Sequence, residues 1–450
     1  MAKFIIISLL LFSVFNHAEA AMITVTTPSD VVNSSDGVTS LREAISEANS
    51  LEGMDTITFS PDLNGKVINL INDVLRITDH LTINGPGRNN LTINNGDSYE
   101  GRIFYVSDND NEKVITVVFN DFRISNGITN NITHGGAGIF NWENMEVNRC
   151  AIVGCKQQIA RGGAIHNIGQ NAVMVINNSL IDNNLSAVGG AGIFNDGGTL
   201  TLNSCIVSDN HSAALEGGGI FNFNGTCIIN SCQIEGNKVL TNGAGGGIYN
   251  YNGTCKIFNS NIVSNEVNDR GTVSKVSCGG GLYNNKDGLM IIVNSAIYRN
   301  KAIAYNTGEN IYAGGIVNFG EMSISNSTVS ENSASAVEKS ASYCGGIHNI
   351  GNLYIWNCTI VNNTAGTAAG GFILEQGMLQ MANSIVANNN SVFYNDFYAT
   401  STNNKFLGKN IIEDGSFTGT GILNVDPQLG PLDNNGGSTL THALLKGSPA

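Results

Sequence analysis

Charged side chains are scarce in this chain, with 22 Lys and Arg and 36 Asp and Glu among 450 residues, or 13%. The few basic residues and the net charge of −14 exclude the basic surface that a nucleic-acid binder needs, and give no attraction to anionic lipid. The acidic balance is read as solubility. After residue 20 no apolar run is long enough to cross a bilayer, so no transmembrane segment is expected in the mature chain. Signatures of metal and nucleophile chemistry are missing too. There is no Cys-x-x-Cys pair, no His/Cys zinc spacing, no Gly-Gly-x-Gly-x-Asp nonapeptide for calcium and no Gly-x-Ser-x-Gly elbow. No metal and no cofactor is expected.

Low charge with 54 Gly looks like a disordered composition, but 42% apolar residues and regularly spaced apolar triplets argue for a packed core. At the N-terminus, Lys3 precedes an apolar run from Phe4 to Phe15, and Ala18-Glu19-Ala20 supplies small residues at cleavage positions. A run of about 12 residues is short of the roughly 20 that span a membrane, so residues 1–20 read as a secretory signal peptide. The mature protein is expected to be exported: secreted, or at the cell surface or outer membrane. Nine Cys leave at least one thiol unpaired. Cys205 and Cys232 share one repeat slot and Cys227 and Cys255 another, so stacked coils would bring each pair within disulfide range. Buried thiol ladders are the preferred reading.

The dominant feature is the stretch Gly190-Ala191-Gly192-Ile193-Phe194-Asn195 and its copies. These close at Asn141, Asn167, Asn195, Asn222, Asn250, Asn284, Asn318 and Asn349, at intervals of 26, 28, 27, 28, 34, 34 and 31 residues. A degenerate copy, Gly370-Gly371-Phe372-Ile373-Leu374, follows. A second motif runs in step, as in Asn178-Ser179-Leu180-Ile181, Asn203-Ser204-Cys205-Ile206 and Asn294-Ser295-Ala296-Ile297. Two motifs locked at one period mean a solenoid, one continuous body whatever its length. Each period holds about three short β segments, illustrated by Ala191 to Asn195, Thr199 to Asn203 and Ile206 to Ser208. The expected fold is all-β: a right-handed parallel β-helix of the pectin-lyase-like kind, about 55–60 Å long, with a short N-terminal capping helix.

That helix is read over Thr39 to Asn49, where Leu41, Ala44, Ile45 and Ala48 share one face and Ser40 with Glu43 forms a capping box. It would close the open end of the core. The expected divisions are 1–20 signal peptide, 21–55 N-terminal cap, 56–390 β-helix and 391–450 C-terminal cap or attachment segment.

Within the motif, Gly allows the sharp turn, Ile points into the core, and the closing Asn residues stack into a hydrogen-bonded structural ladder. Between Ile and Asn runs a column of Phe140, His166, Phe194, Phe221, Tyr249, Tyr283, Val317 and His348. Strand alternation turns this position away from the core. Phe140, His166, Phe194, Phe221, Tyr249, Tyr283 and His348 are therefore a candidate binding face for sugar rings. The competing reading is a stacking ladder covered by neighbouring loops. No catalytic residue is assigned. Asp182, Asp209, Glu235 and Glu331 lie near one turn, where Asp209 and Glu235 could be neighbours or simply solvated acids.

Both ends of the chain resemble one bacterial family. Thr39-Ser40-Leu41-Arg42-Glu43-Ala44-Ile45 is similar to the CSLREA motif of exported β-helix proteins, with Thr39 where the family has Cys. Asp426-Pro427-Gln428-Leu429-Gly430-Pro431-Leu432, followed by Asn435-Gly436-Gly437-Ser438-Thr439 and Gly447-Ser448-Pro449-Ala450, resembles the choice-of-anchor Q region of the same proteins. Gly162-Gly163-Ala164-Ile165 and its copies resemble the repeats of polymorphic outer-membrane proteins. The resemblance implies a surface or secreted β-helix, and the stop at Ala450, without a Leu-Pro-x-Thr-Gly signal, suits a truncated or freely secreted relative. The resulting expectation is a monomeric, non-catalytic, adhesin-like protein that presents a repetitive face to a cell-surface glycan or host protein. The alternative is a polysaccharide lyase or glycoside hydrolase acting on acidic polysaccharide. Local function is expected in the two 34-residue intervals closing at Asn284 and Asn318.

Overall fold

A computed structural model of the chain describes residues 20–96, 101–110, 113–241, 243–269, 278–305, 310–336 and 341–450. The signal-peptide reading falls, but for Ala20, outside these residues. Consecutive coils stack as parallel strands into two sheets of fourteen strands, one of twelve and one of nine. One coil contributes Ile193–Asp196 to the twelve-stranded motif sheet, Thr199–Asn203 and Ile206–Ser208 to the fourteen-stranded sheets, and His211–Ser212 to the nine-stranded sheet. The next coil pairs with it in register, Ile193 with Ile220 and Thr199 with Thr226. The fold is a right-handed parallel β-helix. Where a coil has a fourth strand it escapes sequence reading, because six of the nine are two residues long and too short to show alternation. In-register pairing continues past residue 390 to Ile422–Leu423.

Inside, one apolar cluster runs from Ile23 to Ile412. Its most regular file is Ile139, Ile165, Ile193, Ile220, Ile248, Leu282, Ile316 and Ile347, all fully buried. Gly217 enters its strand at φ +52°, in the left-handed region that favours glycine. At Gly219 a Cβ would stand 2.7 Å from the Gly247 carbonyl of the next coil. The motif works because the coils touch backbone to backbone at this corner.

Polar ladders fix the remaining corners. From Asn141 through Asn167, Asn195, Asn222, Asn250, Asn284 and Asn318 to Asn349, each side-chain amide donates to the next Asn oxygen at 2.7–2.9 Å. A second ladder joins Asn184, Asn210, Asn237, Asn265, Asn300, Asn332, Asn363 and Asn389 at 2.8–3.0 Å. The Asn-Ser motif has its own logic. Asn178 takes φ 50°, while the Ser179 hydroxyl accepts the Cys150 backbone N–H at 3.0 Å. Cysteine occupies the same slot in some coils, so Cys205 N–H meets Cys232 Sγ at 3.3 Å. All nine cysteines are buried thiols. Burial pushes Cys150, Cys155, Cys344 and Cys358 up to about 12.

The helix forms at Leu41–Ala48 and buries Leu41, Ala44, Ile45 and Ala48. Glu43 N–H donates to Ser40 Oγ (3.2 Å), and Ser40 N–H donates to Glu43 Oε2 (2.8 Å). The bonds donated to it by the Ser40 and Asn33 N–H groups hold the Glu43 carboxyl below its usual range. The helix lies across the first strands, Met22–Val25, Asp55–Phe59 and Leu75–Ile77. At the other end Leu429–Asp433 and Thr441–Leu444 form an antiparallel hairpin. It folds back along the flank, where Leu432 and Leu440 cover Val263, Ala296 and Tyr298. His442 pins it, with one ring nitrogen 2.9 Å from Ser330 Oγ and the other 2.8 Å from the Gly430 carbonyl.

Candidate functional site

The motif sheet carries an in-register file on the side away from the core. It runs Arg76, Tyr105, Phe140, His166, Phe194, Phe221, Tyr249, Tyr283, Val317, His348, Ile373 and Tyr398. Parallel stacking at one strand spacing brings neighbouring rings together, most of them face to face, with Phe140–His166 edge-on and Tyr249–Tyr283 tilted. Ring centroids are 4.8 Å apart at Tyr105–Phe140, 4.6 Å at His166–Phe194, and 5.1 Å at both Phe194–Phe221 and Phe221–Tyr249. The Arg76 guanidinium closes the N-terminal end 4.8 Å above Tyr105.

This file is covered. Phe140, His166, Phe194, Phe221, Tyr249 and His348 are buried, and Tyr283 is half-buried. The cover is the segment preceding each Gly motif, whose coils bridge in parallel at Arg161, Gly189, Glu216, Ala244 and Cys278, and again at Cys344, Ala369 and Tyr394. In the coils that close the longer intervals, Ile311–Ala313 pairs with Ser342–Cys344 and sets Tyr312 and Tyr343 over the file. Parts of those longer intervals, 270–277 and 306–309, lie outside the described residues. Among the described residues, a cleft interrupts the cover at each of the file's histidines, His166 and His348.

The first cleft, of about 310 Å³, is lined by His166, Asp196, Arg161, Phe194 and Phe223 with Ile132, Ile159 and Val188. The Gly135 N–H donates to His166 Nδ1 at 3.0 Å, which leaves the ring proton on Nε2. Nε2 is buried without a hydrogen-bond partner among the described residues, and Asp196 Oδ2 stands 3.7 Å away. Burial lowers the pKa of His166, so its ring is neutral at neutral pH. Arg161 pairs with Glu216 at 2.8 Å and lies over the Phe194 and Phe221 rings.

The second cleft, of about 370 Å³, is lined by Tyr312, Tyr343, His348, Glu375, Phe393, Tyr394 and Tyr398 among others. Tyr312 stacks with Tyr343 at 5.7 Å and Tyr394 with Tyr398 at 4.6 Å. At its floor His348 Nε2 meets Glu375 Oε2 at 2.7 Å, and this bond lowers the Glu375 pKa. Phe393 is 72% exposed at the rim.

The two clefts share a design. Ile168 is in register with Asp196, so Asp196 lies in the coil after His166, one residue past the ladder Asn195. Glu375 lies in the coil after His348, one residue past Leu374, which pairs with Asn349. Reading the histidine column alone misses both acids. The signal was present as an acid just after the motif in the copy that follows a histidine copy.

The four turn acids lie elsewhere. Asp182, Ser208 and Glu235 are successive register partners in a fourteen-stranded sheet, and Ser208 Oγ donates to Asp182 at 2.6 Å. Two coil steps, on the order of 10 Å, separate the Asp182 and Glu235 strands. Asp209 sits at a left-handed turn position and its backbone N–H donates to the Glu235 carbonyl at 3.1 Å, so these two are neighbours on adjacent coils. Glu331 pairs with Arg299 at 2.6 Å. Among the described residues no group of three or more His, Cys, Asp or Glu is placed to hold a metal, and no helix is long and apolar enough to cross a membrane.

No family model matches the chain, and no curated protein matches it by sequence. Solved β-helix structures are similar to it over most of its length. The catalytic unit of a thermostable GH87 α-1,3-glucanase from Streptomyces thermodiastaticus is 12% identical with a TM-score of 0.39, over 86% of this chain and 69% of that one. Tailspike protein 3 of bacteriophage CBA120 is 10% identical with a TM-score of 0.40, over 83% of this chain and 59% of its own. PfbA, a surface adhesin of Streptococcus pneumoniae, is 12% identical with a TM-score of 0.25, over 82% of this chain and 85% of its own. At these scores the likeness carries nothing about ligand or chemistry.

Proposed function

We propose that this chain is an exported, adhesin-like β-helix that binds a glycan in the cleft at Tyr312, Tyr343, Tyr394 and Tyr398. The observation that carries the reading is the pair of stacked tyrosine couples around one open cleft, with Phe393 exposed at its rim. Ring faces left open in a cleft suit the C–H faces of pyranoses, while His348, Glu375 and the tyrosine hydroxyls supply convergent polar groups. Between the two clefts the rings of the file are covered and serve the fold.

An enzyme reading rests on the His348–Glu375 bond, which has the form of an oriented acid–base pair. Glycoside hydrolysis uses two carboxyl groups roughly 5–9.5 Å apart. Glu375 is the one carboxylate among the described residues lining this cleft, which favours binding over turnover.

The test is a glycan array on the secreted protein, followed by calorimetry of Tyr394→Ala and of the double variant Phe393→Ala/Tyr394→Ala. The expected result is specific binding that falls about tenfold or more in the variants while the melting temperature is unchanged. A negative array together with negative cell-adhesion assays sinks the reading. Product release from pectin, alginate or glycosaminoglycan replaces it with the enzyme.

A further inference from the structure

The His166 cleft is built but unfilled by the chain itself. The His166 ring is 2% exposed, its Nδ1 is satisfied by Gly135, and its Nε2–H has no acceptor among the described residues. Asp196 faces it across 3.7 Å, too far for a direct hydrogen bond and the right separation for one hydroxyl oxygen to contact both. In the matching slots of the other cleft, His348 and Glu375 close the same gap to 2.7 Å. A ligand anion meets the Asp196 and Glu216 carboxylates, and a cation meets Arg161, which Glu216 holds over the Phe194 and Phe221 rings. What fits is a neutral group that accepts from His166 and donates to Asp196, seated beside the half-buried Phe223 ring.

The two clefts lie on one line. The register steps from His166 to His348 pass through Phe194, Phe221, Tyr249, Tyr283 and Val317, six coils and roughly 29 Å. Between them a second file runs beside the first. Phe223 pairs with Tyr251, their rings stack at 5.2 Å, and Phe319 follows further along, all three half-buried. A pyranose chain advances about as far per ring as the solenoid does per coil.

We propose that the His166–Asp196 cleft is a second binding site, taking a neutral sugar ring through one of its hydroxyls, and that with the His348–Glu375 cleft it holds the two ends of a single glycan chain. This rests on the glycan-binding reading above. Joining two weak sites through one ligand raises affinity only once the ligand spans both, so affinity depends on length with a threshold.

The experiment titrates the full secreted chain with manno-, cello- and laminari-oligosaccharides of two to ten rings. In parallel, the His166 Nε2 resonance is followed by ¹⁵N NMR. The expected result in one series is a gain of about tenfold or more between oligomers too short and long enough to span both clefts. The Nε2 resonance should shift as the long oligomers saturate. His166→Phe removes the donor yet keeps the ring type found in the adjoining coils at Phe140 and Phe194, so it is expected to fold and to lose the length gain while short oligomers still bind at the tyrosine cleft. Asp196→Ala should do the same. The inference is overturned if His166→Phe and Asp196→Ala keep the gain, or if Nε2 does not move under saturating oligomer. In either case short-oligomer binding at the tyrosine cleft leaves the parent reading standing. If no oligomer binds the unaltered chain, both fall.

Discussion

The motif sheet has two faces that stack in the same register and differ in what they tolerate. On the inner face Ile220 and its counterparts hardly vary, since each is surrounded by core on every side. On the outer face the equivalent file changes from Phe to His, Tyr, Val and Ile, and its cover is made by segments of unequal length. The inner face is held by neighbours the coil geometry guarantees. The outer face is held by loops, and clefts open in that cover at His166 and His348. Repetition secures the fold on one side and leaves room for local chemistry on the other.

Adjacent residues on opposite faces give the sharpest way to break this contrast. Ile220 is fully buried in the core, and Phe221 is 1% exposed in the outer file. If the outer file is packed as firmly as the core, Phe221→Ala costs about 4 kcal/mol and Ile220→Ala about 3 kcal/mol. Guanidinium midpoints measure both. A cost near zero for Phe221→Ala would mean that the cover relaxes and that the outer rings are free for ligand along the whole file.

Much of this was legible beforehand. The period, the Ile file, the Asn141-to-Asn349 positions and the capping box are local patterns, and parallel stacking copies local pattern into three dimensions. Less legible was whatever depends on one coil meeting the next. Alternation turns Phe194 and Phe221 away from the core, and a ladder covered by neighbouring loops is one of the two readings it allows, but that Arg161, Glu216 and Ala244 form the cover was not legible. The second Asn ladder was missed because its members, such as Asn210 and Asn237, follow variable turn residues and not a glycine motif. Asp196 and Glu375 were missed because each serves a histidine in the preceding coil.

The end of that second ladder yields a smaller, pH-dependent effect. Asn389 donates its side-chain amide to Asp396 Oδ1 at 3.0 Å, where earlier coils offer an Asn oxygen. Asp396 is 1% exposed, and burial raises its pKa to about 6, against the hydrogen bonds from Asn389 and the Asp414 N–H that oppose the rise. A raised carboxyl favours the protonated folded form. Its contribution is complete below the unfolded value near 3.8 and is lost as pH rises through about 6. The full swing is on the order of 3 kcal/mol, confined to the C-terminal coils. Unfolding followed from pH 3.5 to 7.5 should show that loss of stability, and Asp396→Asn should flatten it. An unchanged slope in the variant would assign the pH dependence to other carboxyls.

The smallest effect separates the faces by rate and leaves stability alone. Cys205, Cys232 and Cys255 lie in the inner cluster, whereas Cys344 belongs to the cover strand itself, buried in the outer cluster against which Tyr312 and Tyr343 pack. Burial raises the Cys344 thiol to about 12, so it reacts only after exposure. Exposing an inner thiol means separating stacked coils. Exposing Cys344 means lifting a two-stranded pairing of three-residue segments, a local opening that costs far less than unfolding a coil. In native buffer a thiol reagent should therefore modify Cys344 at least about tenfold faster than Cys205, Cys232 and Cys255, and mass-spectrometric mapping of the labelled peptides reads the two rates. Saturating the tyrosine cleft with a bound glycan should slow Cys344 alone, because the ligand bridges the cover to the file. One common rate for all four thiols would mean that cover and core open together, and that the outer face is as much a part of the cooperative fold as the inner one.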